Sequence, residues 1–152
     1  MGVLKNFKTL KKKWATLNIQ VECIVIDYCC SGAVELTLEC DIIKLFKNAK
    51  MGIHYPQNIK YQIENNSIKE LESDKVLTNE EKINYETYYQ SKLKLEDFIV
   101  KKLLTESKLL NTEEILKYNF ASEVIKKLPV QFKELKNSIL IESMKRDEQR
   151  KL

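Results

Sequence analysis

Apolar residues recur along the chain with two different periods, and the change from one to the other divides it. Val3, Phe7, Leu10 and Trp14 are spaced by four, three and four positions, while Lys5, Lys8, Lys11, Lys12 and Lys13 occupy the rest of the turn; this spacing predicts a short basic amphipathic helix. From Ile19 the period becomes two. Ile19, Val21, Cys23 and Val25 alternate with Gln20, Glu22, Ile24 and Ile26, and Leu36, Leu38, Cys40 and Ile42 alternate with Glu35, Thr37, Glu39 and Asp41, the pattern of a hairpin. A two-residue turn at Ser31-Gly32 then sets Val25 opposite Leu38, Cys23 opposite Cys40 and Val21 opposite Ile42 on one apolar face. A longer loop that takes in Cys29, Cys30 and Ala33 keeps the faces and shifts the register.

Ile59, Tyr61 and Ile63 alternate with Lys60, Gln62 and Glu64 before Asn65-Asn66, which predicts a third strand; residues 67–77 carry no clear pattern. Thr78 with Glu81 forms a capping box for a helix to about Glu106, striped by Ile83, Tyr85, Tyr88, Tyr89, Leu95, Phe98, Ile99 and Leu103. Asn111 with Glu114 repeats the signal for a helix striped by Ile115, Leu116, Phe120, Val124 and Leu128. Pro129 opens a third helix through Phe132, Leu135, Ile139, Leu140 and Met144. The expected architecture is α+β in a single domain, 1–152: a small antiparallel sheet of about three strands (19–29, 34–43, 58–64) behind a short N-terminal helix forms a mainly β half (1–66), and a three-helix half (78–148) follows.

Composition narrows the class. With 152 residues, 43% hydrophobic and 32% charged, the chain is long enough for a core, and 3 Gly and 2 Pro exclude collagen-like and low-complexity readings. Apolar runs such as Cys23–Ile26 are far shorter than the ~20 residues a membrane span needs. No secretory leader pattern stands at the start, so a cytoplasmic location, or a place within a virion or other assembly, with free thiols is the expectation. Among 26 basic residues only Arg146 and Arg150 are arginine, a bias of AT-rich genomes that deprives the chain of the bidentate phosphate fork.

Charge is segregated: residues 1–18 carry five Lys and no acid, 19–43 five acids and no base, and 44–60 four Lys and no acid. In the hairpin register Glu22 lies opposite Asp41 with Glu39 beside them, and like charges so placed weaken a sheet unless something positive covers them. The Lys-rich helix or the 44–50 connection folding back answers this within the chain; a basic partner or a divalent cation answers it from outside.

Familiar catalytic signatures are missing. There is no G-x-S-x-G elbow, no phosphate-cradling glycine loop, and no zinc spacing among Cys23, Cys29, Cys30 and Cys40; the single histidine, His54, reads as a loop residue. Gly2 suggests myristoylation, but position 6 is Asn where Ser or Thr is required, and peripheral membrane contact is not expected. No catalytic residue, metal or cofactor is therefore assigned. Lys5, Lys8, Lys11, Lys12, Lys13, Lys44, Lys47 and Lys50 are the candidate partner- or anion-binding residues, and Tyr85, Tyr88, Tyr89, Phe132, Leu135 and Ile139 the candidate protein interface. The resulting expectation is a non-catalytic assembly factor, structural subunit or chaperone of bacterial or phage type that binds a protein partner or itself. The alternatives are an RNA-binding or ribosome-associated protein using the Lys-rich segments, and, ranked last, an enzyme built around Cys29-Cys30 or His54.

Overall fold

The computed structural model describes residues 2–56, 59–64, 67–72 and 77–129, the two middle stretches by backbone alone. The N-terminal helix is present as α1 (Gly2–Thr16). Beyond it the order is β1 (Glu22–Val25), β2 (Tyr28–Cys30), α2 (Gly32–Leu38), β3 (Ile42–Phe46), β4 (Lys50–Gly52), β5 (Ile59–Glu64), β6 (Ser67–Glu72), α3 (Asn79–Leu93), α4 (Asp97–Glu106), α5 (Thr112–Lys117) and β7 (Glu123–Ile125).

The chain is mixed helix and strand, as expected, but its strands are joined differently. β1, β3 and β7 form a parallel sheet in the order β1-β3-β7, and β2 runs parallel to β4 with Tyr28, Cys29 and Cys30 beside Lys50, Met51 and Gly52. The hairpin over 19–29 and 34–43 is therefore a correction: most of its second strand is helix α2. The period-two pattern misleads because seven residues satisfy both periods; Val34 and Leu38, four apart, are the buried pair. Parallel strands need a crossover, and α2 is that crossover between β1 and β3. The third strand stands where alternation put it, as β5, and pairs antiparallel with β6 in the stretch that carried no pattern.

Both capping boxes are formed: the Thr78 hydroxyl accepts from the Glu81 amide and Asn111 Oδ1 from the Glu114 amide. The helix foreseen from 78 to 106 is broken in two, with Lys94 left-handed at φ 55°. The turn lets Leu93, Val100, Leu103 and Leu104 all reach the core, while Ile83 and Phe98 stay exposed. The helix foreseen over 111–128 ends at Lys117; Asn119 turns left-handed at φ 60°, Phe120 is buried, and β7 adds to the open edge of β3. That edge offers unpaired backbone groups that a continued helix would leave unsatisfied. The helix foreseen from Pro129, with Phe132, Leu135 and Ile139, lies outside the described residues.

The core gathers Val34 and Leu38 of α2, Leu45 and Met51 of the strands, and Tyr89, Leu104, Ile115 and Phe120 from the helical half. No helix among the described residues is long and apolar enough to cross a membrane.

Candidate active site

The sharpest backbone feature is at Ser31. β2 enters it and α2 leaves it, and Ser31 itself sits at φ 55°, ψ −129°, a conformation a side chain rarely adopts. Such a residue costs of order 1–3 kcal/mol and persists only where its surroundings fix it. Here they do. The Ser31 amide donates to the Gly52 carbonyl at 3.1 Å, and the Ser31 carbonyl accepts from the Val34 amide at 2.9 Å. The side chain is exposed and makes no capping bond to its own helix, so its hydroxyl is free at the tip of a strand-to-helix elbow.

β4 also leads toward the histidine. Cys30 pairs with Gly52, the Ser31 amide bonds the Gly52 carbonyl, and His54 follows two residues after Gly52 along the chain. His54 is half-buried, and its Nδ1 lies 2.6 Å from the Tyr55 carbonyl oxygen. A carbonyl only accepts, so Nδ1 carries a proton, and in the neutral ring Nε2 carries the lone pair. Gly52 is required where these strands meet: a Cβ on it would stand 3.3 Å from the Lys108 carbonyl and 3.7 Å from Cys30 Sγ. The 107–110 segment is held there by Leu110, which donates to the Met51 carbonyl at 2.7 Å and accepts from the Met51 amide at 3.4 Å.

The two cysteines before the elbow differ. Cys29 is buried, bonded to Thr37 Oγ1 at 3.4 Å, and burial pushes its thiol up; Cys30 is free and exposed. Cys23 and Cys40 are joined in a disulfide with Cα atoms 6.0 Å apart, which corrects the expectation of free thiols for that pair.

The lysines singled out in the sequence are spread over the surface. Lys8 pairs with Glu39 at 3.4 Å, Lys11 with Asp41 at 2.8 Å, and Lys44 bridges Glu22 at 2.8 Å and Glu123 at 3.3 Å. Lys5, Lys12, Lys13, Lys47 and Lys50 are exposed. The tyrosines clasp α3 to α2: Tyr89 is buried, Tyr85 donates to Glu35 Oε1 at 2.6 Å, and Tyr88 donates to the Glu35 carbonyl and to Glu39 Oε1, each at 3.1 Å. Sequence reasoning missed Ser31 because it read Ser-Gly as a hairpin turn and sought a nucleophile only inside G-x-S-x-G. The available signal was a short β-rich run, Tyr28-Cys29-Cys30, followed by small residues and the i, i+4 pair Val34 and Leu38.

No protein-family model matches the chain. No curated protein matches it in sequence. In three dimensions, the mixture of helices with a small parallel sheet is the fold of the ClpP-like class. Among solved structures, a serine-to-alanine mutant of the 1510-N membrane-bound stomatin-specific protease superposes with a TM-score of 0.55 at 18% identity, over 82% of this chain and 58% of that one. The ClpP protease catalytic domain from Plasmodium falciparum gives 0.55 at 17% identity, over 83% and 64%. ThnE from S. clavuligerus gives 0.51 at 9%, over 81% and 50%. The chain thus spans less than two thirds of each of these proteins. The shared fold overturns the expectation of a non-catalytic assembly factor, structural subunit or chaperone, and the nucleic-acid alternative with it, because proteases are built on this fold. The missing G-x-S-x-G motif misled because the elbow depends on a backbone conformation, which here is held by the Gly52 carbonyl and by the start of α2 at Gly32, without a glycine two positions before the serine.

Proposed function

We propose that the chain is the serine-hydrolase part of a ClpP-like protein, with Ser31 as nucleophile and His54 as its general base, acting on the acyl group of a peptide bond. The observation that carries this is the strained elbow at Ser31, an exposed hydroxyl held at φ 55° where β2 meets α2, its amide bonded to the carbonyl of Gly52, two residues before the single histidine. In acyl transfer the Ser31 hydroxyl adds to the carbonyl carbon while its proton passes to His54 Nε2; the imidazolium then returns that proton to the leaving amine, and water repeats the sequence to free the acid. A peptide is the favoured substrate class because three of the solved neighbours are proteases, one of them a lysine-to-alanine mutant in complex with a substrate peptide, with a TM-score of 0.51.

The test is covalent labelling of the full chain by a fluorophosphonate, with the adduct located by mass spectrometry. Labelling at Ser31 that disappears in Ser31→Ala and falls sharply in His54→Ala is expected. A labelled Cys30 with an inert Ser31, or no adduct at all, overturns the assignment.

A further inference from the structure

We infer that Tyr55 and Glu86 are positioning residues for the His54 imidazole, taking the place that a carboxylate on Nδ1 occupies in a Ser-His-Asp arrangement; the inference rests on the reading of Ser31 and His54 above. A neutral imidazole left to itself prefers its proton on Nε2, the nitrogen a general base must keep free. Something has to hold the proton on Nδ1. Among the described residues no carboxylate bonds this ring, and the partner of Nδ1 is the Tyr55 carbonyl at 2.6 Å.

A backbone carbonyl can hold that proton only if its own direction is fixed, and two features fix it. Pro56 follows Tyr55, and the residue before a proline is confined to extended ψ values, which limits rotation of the Tyr55 carbonyl. At the other end of the residue, the Tyr55 hydroxyl donates to Glu86 Oε1 at 2.6 Å. Glu86 projects from α3 and is 8% exposed, so its charge is buried; its second oxygen meets Lys101 only at 3.7 Å, and Lys101 is closer to Asp97 at 2.6 Å. A buried carboxylate with one distant cation needs the phenol, and the phenol cannot swing away without stranding it. Burial, and then the bond to Glu86, push the Tyr55 hydroxyl up to about 12, so it remains a donor throughout the neutral pH range. The chain of contacts runs from α3 through the Tyr55 ring and backbone to the imidazole. Among the described residues no charged group bonds Nδ1, so the device sets the tautomer through a neutral acceptor.

Because His54 is the single histidine of the sequence, its ring nitrogens give unambiguous signals in 15N-labelled protein. In the full chain the neutral ring is expected to be protonated at Nδ1. Tyr55→Phe and Glu86→Ala, checked for folding by circular dichroism, are expected to return it toward the Nε2-protonated form and to slow fluorophosphonate labelling of Ser31 by about tenfold or more. Glu86→Gln, which keeps an acceptor for the phenol, restores both. An Nε2-protonated ring in the unmodified protein, or unchanged tautomer and labelling in both loss-of-contact variants, overturns the positioning role while labelled Ser31 preserves the nucleophile. A tautomer that shifts as expected in a protein whose Ser31 never labels upholds the positioning contacts and removes the nucleophile instead.

Discussion

Ser31 stores backbone strain at a positive φ, and that gives the elbow a thermodynamic signature. Ser31→Gly relieves the positive φ and is expected to raise stability by about 1 kcal/mol while abolishing labelling; equilibrium unfolding in urea measures the first and the fluorophosphonate the second. Gly52 shows the reverse balance. Gly52→Ala pushes a methyl to 3.3 Å from the Lys108 backbone oxygen, which cannot rotate aside as a side chain could, and a loss of about 1–2 kcal/mol follows in the same measurement. The cysteines give a chemical count: a thiol reagent should modify Cys30 in the native chain, Cys29 only after unfolding, and Cys23 and Cys40 only after reduction. A native protein with three or four reactive thiols would contradict this arrangement. The sequence pattern did set Cys23 opposite Cys40, but read both as free thiols; their disulfide and the burial of Cys29 were decided only in the folded chain.

At the scale of elements, α2 is held between two charged neighbours. Glu39 at its C-terminal cap is 6% exposed and meets Lys92 of α3 at 2.9 Å, Lys8 of α1 at 3.4 Å and the Tyr88 hydroxyl. Lys92→Met removes the nearer cation and is expected to cost about 1–2 kcal/mol, with Lys8→Met costing less because that lysine is more exposed and more distant; thermal unfolding of the two variants compares them. The acidic stretch 19–43 did announce a need for positive neighbours, and it finds them on α1, β3 and α3. The capping boxes were equally legible, because a cap is decided within four residues. The crossover helix was not: over seven residues local periodicity cannot separate helix from strand, and parallel pairing with a chain twenty residues away decides the matter.

For the whole molecule, acid tests the same network. Burial raises the Glu39 carboxyl, but the bond and charge of Lys92, the charge of Lys8 and the Tyr88 bond outweigh it, and the group lies below its ordinary value; Lys11 and the Val21 amide lower Asp41, and Lys108 with the Asn111 amide lowers Glu114. Carboxyls depressed by folding stabilise fully above the ordinary carboxylate range and lose that contribution as pH falls through their folded values. The unfolding midpoint should therefore hold above about pH 5 and decline below about pH 4, and Glu39→Gln should flatten the decline. Alternation, capping and charge runs determined from sequence alone that the chain mixes helix with strand, where α1, α3 and β5 begin, and that its acids need cationic cover, because each of these is settled by neighbours close along the chain. Parallel pairing, the break at Lys94, the elbow at Ser31 and its bond to Gly52 were decided only by the tertiary structure, because they depend on hydrogen bonds between segments twenty or more residues apart or on a core that several elements must share.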